Sequence, residues 1–263
     1  MKSDEHEKSA ELARPITIEQ GTVVRPSGAY SRSVHLFLGF LNQSGLTCVP
    51  EFLGYDENNK EILSYVEGQT YNYPLSGDIA SGQALESAAK LLRSIHDESV
   101  EFVQSHDVVN LEWMLPAQLP IEVMCHGDFT PYNVALQKEQ VVGVFDFDTC
   151  HPGSRVWDVA FSVYCWAPFK TDPVDRLGNL KRQIVRAKLF CDAYGANATQ
   201  RQQLVTVMIQ RVQSLVDFMF TQAEAGNQVF RSHIEAGHHM AYQKDVEYLE
   251  CNREKITQGL FDN

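Results

Sequence analysis

This sequence lacks a long apolar run, a basic surplus and any paired-cysteine motif. No stretch holds the ~20 apolar residues of a membrane-spanning helix, so no membrane association is expected. Lysine and arginine number 22 against 34 aspartates and glutamates, a formal net charge of −12. Nucleic-acid binding needs a basic face, so that partner class is not expected either. Such a field suits a cationic or neutral small ligand better than an anionic one. Met1 to Glu11 is polar and charged and lacks the apolar core of a secretory signal. None of the six cysteines falls in a Cys-x-x-Cys or a zinc-ligand spacing, and they read as buried thiols of a reducing compartment. A cytoplasmic protein is the expectation. Nothing in the sequence bears on its oligomeric state.

With 263 residues, 44% of them hydrophobic, the chain can bury a core in one domain or in two lobes. Residues 1–14, dense in Lys, Glu, Asp and Ser, are expected to be disordered or frayed. Residues 15–70 predict a small α+β unit. Ile16 to Arg25 reads as short strands turned at Gly21, and Ser33 to Leu46 carries Val34, Leu36, Phe37, Phe40 and Leu41 at helical spacing. Val49 to Gly54 and Glu61 to Val66 are strand-like around the polar Asp56–Asn59. Tyr71 to Gly77 looks like a linker.

Residues 71–263 predict a larger, mostly helical part. One helix is expected from Ile79 to His96, then an irregular Leu111 to Pro120, then strands near Val123, Val134 and Val141 to Phe145. Further helices are expected after Trp157, from an Asp172-Pro173 start to Tyr194, from a Thr199 cap onward, and from Val229 to Ile256.

The chemistry concentrates in residues 124–150. An apolar run leads into His126-Gly127-Asp128, four residues separate Asp128 from Asn133, and a second apolar run ends in Asp146. Phosphoryl transfer needs a carboxylate to orient and deprotonate a hydroxyl, and an amide oxygen plus a second carboxylate to hold Mg²⁺ on nucleotide phosphates. Hard oxygen donors suit that ion. Asp128, Asn133 and Asp146 have the types and spacing for these tasks. The plainer reading is a loop Asp capping its own turn and a surface Asp ending a strand. His126, Asp128, Asp146, Asp148 and His151 could instead hold a hydrolytic metal, although His-Pro-Gly is also ordinary turn chemistry.

Three ordered segments carry a resemblance: His126-Gly127-Asp128-Phe129-Thr130-Pro131-Tyr132-Asn133-Val134, Gly143-Val144-Phe145-Asp146-Phe147-Asp148, and Gly153-Ser154-Arg155-Val156-Trp157-Asp158-Val159-Ala160. Together they resemble the aminoglycoside phosphotransferase / choline kinase group. Leu92-x-x-Ile95-His96 and Leu63-Ser64-Tyr65-Val66-Glu67-Gly68 match further positions of that group. The resemblance implies an α+β, bilobal protein-kinase-like fold, with a reduced strand-plus-helix N-lobe and a helical C-lobe. It implies transfer of the γ-phosphate of ATP or GTP, with Mg²⁺, to a hydroxylated small molecule. By position, Asp128 would be the catalytic base, and Asn133 and Asp146 the Mg²⁺ ligands. The backbone of Ser64, Tyr65 and Val66 would meet the adenine. His126 and Asp158 would brace the loop, and Asp148 would be a secondary metal or structural carboxylate. Glu224, Glu235 and Asp245 lie in the region that lines the group's acceptor site.

The small lobe departs from that pattern. No Gly-x-Gly-x-x-Gly precedes Thr22-Val23-Val24-Arg25, and Arg25 stands where the phosphate-binding Lys belongs. Arg25 is also readable as a solvent-facing charge at a strand exit. Ser31 to Leu46 holds no acidic residue to pair with it; Ser33 or His35 lies nearest the expected place. A kinase-fold binding or regulatory protein with little or no catalysis is therefore the second reading.

Overall fold

The structure is a computed structural model that describes residues 16–262; the fraying expected of residues 1–14 falls outside them. Gln20 and Gly21, both at positive φ, turn β1 (Thr17–Glu19) back onto β2 (Thr22–Arg25). β3 (Phe52–Tyr55) and β4 (Glu61–Ser64) form a second hairpin. Its polar turn closes through Asp56 Oδ1, which accepts the Asn58 and Lys60 N–H groups. The four strands make an antiparallel sheet in the order β1-β2-β4-β3, with Arg25 opposite Glu61. Helix α1 (Ser31–Gln43) covers it, burying Val34, Phe37, Leu38 and Leu41.

Helix α2 (Gly82–Ser105) is the spine of the larger part. Ser81 caps it by accepting the Ala84 N–H, and Leu85, Ala88, Leu92 and Ile95 are completely buried. It runs nine residues beyond its expected end at His96. The charged Asp97-Glu98 and Glu101 masked the stripe, which continues through the buried Ser99 and Phe102. Three short pairings follow from β5 (Val123–Cys125), β6 (Val134–Gln137), β7 (Gln140–Val144) and β8 (His151–Gly153): β5 with β8, β6 with β7, and a Gln69–Leu136 bridge tying the linker to β6. The sequence predicts a turn at His151-Pro152-Gly153. Opposite β5 the segment instead forms a strand, with Met124 facing Pro152, because an edge position spares Pro152 a donor it lacks.

The remaining helices are α3 (Arg155–Trp166), α4 (Leu180–Tyr194), α5 (Ala198–Glu224), α6 (Gln228–Glu235) and α7 (His238–Gly259). Helix α4 starts at Leu180, not at Pro173. Asp172 makes a local turn, accepting the Val174 N–H, Gly178 at φ +84° breaks the path, and Asn179 supplies the cap. The cap of α5 is Asn197, in a reciprocal box with Gln200, not Thr199. The last expected helix is two, parted at Gly237 with φ +78°.

The two parts meet through aromatic packing. Phe102 of α2 lies 5.1 Å from Phe37 and 5.3 Å from Phe40 of α1, centroid to centroid, and Phe37 reaches Phe147 below the cleft at 6.3 Å. This small sheet with one helix, set on a helical body, is the protein-kinase-like architecture. Truncating Phe102, which is fully buried, removes its ring from the contact with Phe37 and Phe40. Phe102→Ala is expected to lower the unfolding free energy by about 3–5 kcal/mol, measured by urea denaturation; a change near zero would show that α1 does not rest on this ring.

Candidate active site

The loop from His126 to Asn133 follows β5 and is pinned at nearly every peptide group. Asp158, one turn into α3, accepts the His126 N–H at 2.7 Å and the Gly127 N–H at 2.9 Å. His96 of α2 reaches the same carboxylate at 3.0 Å, and its other ring nitrogen meets the Tyr194 hydroxyl at 2.7 Å. The Gly127 carbonyl accepts from Arg211 of α5 at 2.7 Å, and the Phe129 carbonyl from the Trp166 indole at 3.2 Å. Gly127 has φ +82°, and a Cβ there would fall 2.3 Å from the Thr149 carbonyl oxygen, so only glycine fits.

His126 is spent on bracing. Its Nε2 donates to the Phe145 carbonyl at 3.1 Å and its Nδ1 accepts the Asp128 N–H at 3.2 Å. Burial lowers its pKa to about 4, so the ring is neutral at pH 7. His151 is likewise committed: Nδ1 donates to the Thr149 carbonyl at 2.8 Å and Nε2 accepts from the Trp157 indole at 3.1 Å. With both imidazoles occupied, the hydrolytic metal cluster has no histidine ligands, and the described residues hold no group of three His, Cys, Asp or Glu placed for a metal.

Asp128 is held at its tip. The Tyr132 hydroxyl donates to it at 3.1 Å and Asn133 Nδ2 at 2.8 Å. The Asn133 amide oxygen makes no hydrogen bond to a described residue, so the same side chain that steadies Asp128 presents a hard oxygen. Burial and the nearby Asp146 push the Asp128 carboxyl up to about 7, against the pull of Tyr132, Arg211 and Asn133. Asp146 follows β7 in the left-handed region, φ 64° and ψ 62°, a conformation that an Asp tolerates at some cost. Carboxylate and amide oxygens of this kind suit Mg²⁺.

Two cavities flank this point. The larger, about 980 Å³, lies under the small sheet and is lined by Val23, Arg25, Leu63, Ser64, Tyr65, Val66, Asp146 and Asp148. The smaller, about 230 Å³, contains Asp128 and lies within the helical part. Tyr132 lines both. In Ser64–Val66, the hinge expected to meet the adenine, the Ser64 and Tyr65 N–H groups are consumed by the Glu51 and Gly21 carbonyls, each at 2.8 Å. Only the Val66 N–H is left without a partner among the described residues.

Arg25 does not face solvent. It is buried, its Nε donates to Glu61 at 2.5 Å, and it pairs with Asp146 at 3.3 Å and with Asp148. The carboxylate missing from α1 comes from β4: Glu61 accepts from Arg25 and meets His35 of α1 at 2.7 Å. Burial alone would raise the Glu61 pKa, but the His35 hydrogen bond and the Arg25 charge hold it below the usual range. Glu61 escaped sequence reasoning because its partner is 36 residues away and only the strand register joins them. Tyr30, which donates to Asp148 at 2.9 Å, carried no signal either. Glu224 and Glu235 are exposed. Asp245 is buried on Tyr164 and Thr171 and does not line the smaller cavity.

A cleft beneath a small sheet, with loop carboxylates at its mouth and a helical floor, defines the class as protein-kinase-like. Residues 107–189 match the model of the phosphotransferase enzyme family. A trifolitoxin immunity protein of Rhizobium leguminosarum bv. trifolii is 26% identical over 205 residues, 74% of this chain and 75% of that protein. An ethanolamine kinase of Plasmodium vivax has a TM-score of 0.58 at 13% identity, over 88% of this chain and 81% of that one. A choline/ethanolamine kinase family protein from Mesorhizobium loti has a TM-score of 0.57 at 14% identity, over 99% of both. The resemblance carried by the sequence motifs is thus shown, and so is the fold.

Asp158 makes the loop sensitive to acid. Burial would raise its pKa, but the His96 hydrogen bond, the two imidazoles and the Gly127 N–H hold it at about 2. A depressed carboxyl stabilises the fold fully above its ordinary value of about 3.9, and that share is lost as pH falls through about 2. Asp158→Asn is expected to cost about 3 kcal/mol or more at pH 7 and to flatten the loss of stability between about pH 4 and pH 2. Urea melts across that range check both; an unchanged acid limb would contradict the role given to Asp158.

Proposed function

We propose that this chain is a small-molecule phosphotransferase moving a nucleotide γ-phosphate to an alcohol, with Asp128 as the base. The observation that carries the reading is that Asp146 lines a cavity roomy enough for a nucleotide while Asp128, hydrogen-bonded by Asn133, lines a second one, with Tyr132 lining both. In this reading the acceptor hydroxyl enters the smaller cavity and gives its proton to Asp128 as its oxygen attacks the γ-phosphorus and the bond to the β-phosphate oxygen breaks. Tyr132 and Asn133 fix the carboxylate for that transfer. Arg25, anchored by Glu61, sets a guanidinium at the phosphate end of the cleft, and the Val66 N–H is the hinge donor for the base. A magnesium ion, held by Asn133 and Asp146, would neutralise charge on the phosphates. Two proteins sharing the fold are named as an ethanolamine kinase and a choline/ethanolamine kinase family protein, and the R. leguminosarum relative is named for toxin immunity; a hydroxyl of a small molecule, a toxin among them, is the acceptor class these names support. We place the protein in the cytoplasm, in keeping with its six unpaired cysteines; no described helix is long and apolar enough to cross a membrane.

A second reading, binding without catalysis, is favoured by Arg25 itself, whose pairing with both Asp146 and Asp148 competes with a cation for those carboxylates. Thermal shift separates the two. The phosphotransferase reading expects MgATP to raise the melting temperature, since a ligand at a hundred times its Kd stabilises by about 2.7 kcal/mol. No shift at millimolar MgATP would favour the second reading. Asp128→Asn is expected to abolish nucleotide-dependent phosphorylation while leaving the melting temperature nearly unchanged; retained turnover would refute the assignment of the base.

A further inference from the structure

The smaller cavity is built around a buried positive charge. Arg211 of α5 is 5% exposed. Its guanidinium lies 4.3 Å over the Phe161 ring and spends one donor, Nη2, on the Gly127 carbonyl. Its buried Nε has no partner. A guanidinium carries five N–H donors; the Asp128 and Asp158 carboxylates act on its charge, but its single hydrogen bond to a described residue uses one donor. Bracing one carbonyl could be done by a neutral amide at a lower desolvation cost. Arg211 lines the cavity that holds Asp128, beside the aromatic rings of Trp157, Phe161, Phe230 and Tyr242.

The same wall argues against a polycationic acceptor. Asp128 is its one carboxylate among the described residues, and the acidic residues expected nearby are exposed or sequestered. The volume of about 230 Å³ falls below the roughly 300–1,000 Å³ of sites for drug-sized ligands. The net charge of −12 is a sum over the whole chain, whereas the field inside a low-dielectric cavity is set by the nearest charges, here Arg211 and Asp128. We propose that this cavity takes a small hydroxylated organic acid, its carboxylate on the Arg211 guanidinium, its apolar body on the aromatic wall and its hydroxyl at Asp128. The identification of the hydroxyl as the phosphoryl acceptor rests on the phosphotransferase reading; the binding of the carboxylate does not.

The test is a binding measurement on the full chain without nucleotide. Mandelate and 3-phenyllactate, their uncharged amides, choline and kanamycin are titrated by calorimetry. At least one hydroxy acid is expected to bind about tenfold or more tighter than its own amide. Arg211→Gln, which keeps a neutral donor for the Gly127 carbonyl, is expected to bring that ratio near one, and Arg211→Lys to keep part of it. The acid-to-amide ratio of the unsubstituted chain stands even if a variant unfolds. Tighter binding of choline or kanamycin than of every acid, an equal ratio for acid and amide, an unaltered ratio in a folded Arg211→Gln, or no binding of either acid at millimolar concentration would each overturn the inference. Acid binding through Arg211 in a chain that shows no MgATP shift would sink the phosphotransferase reading and leave this one standing.

Discussion

The buried Asp158 carboxylate is the constraint on which the site depends. It is removed from water and completes its hydrogen bonding with two consecutive peptide N–H groups of the loop and with His96. That arrangement ties three separate elements, α2, α3 and the loop after β5, to one point. Removing any of the donors leaves a buried charge poorly paired, so the three move together or not at all. The loop can then carry a conformation it would not hold alone, with Gly127 in the left-handed region and Asp128 lining the smaller cavity. Rigid support beneath a functional loop is the usual way a side chain is kept in one geometry.

A second polar cluster organises the small sheet. Arg25 and Glu61 are cross-strand partners, and His35 joins them to α1. The usual kinase arrangement draws its carboxylate from the helix. Here the helix supplies an imidazole and the neighbouring strand the carboxylate, so the charge pattern survives with its parts exchanged. The exchange suits a guanidinium. Its fork reaches a carboxylate on its own sheet and two more across the cleft, which an ammonium point charge on a single stem would not span as well.

How far this was legible follows from where the information lay. The loop residues Asp128, Asn133 and Asp146 sit within 19 positions and are flanked by apolar strands, so a local reading could propose them as one set, and the family resemblance gave the fold. The small sheet was readable because each strand is bounded by turn residues. What stayed hidden depends on register or on distant packing. Glu61 becomes a partner of Arg25 only once β2 and β4 are aligned. Arg211 reads as one more charge on an amphipathic helix until the helix is laid beneath the loop. The extension of α2 was hidden by its charged face. Capping errors at Pro173 and Thr199 came from choosing a strong local signal over a neighbour that the glycine break at Gly178, or a reciprocal Asn197–Gln200 box, made better.

In the proposed reaction Asn133 and Asp146 would share one divalent ion at the mouth of the cleft, next to the Asp128 base. The most direct measurement is electron paramagnetic resonance of Mn²⁺, substituted for Mg²⁺, titrated into the protein in the presence of ADP. Bound Mn²⁺ is predicted for the unaltered chain and is predicted to be lost in both Asn133→Ala and Asp146→Asn with the fold retained. Mn²⁺ binding of equal affinity in those two variants, or none in the unaltered chain, would contradict it.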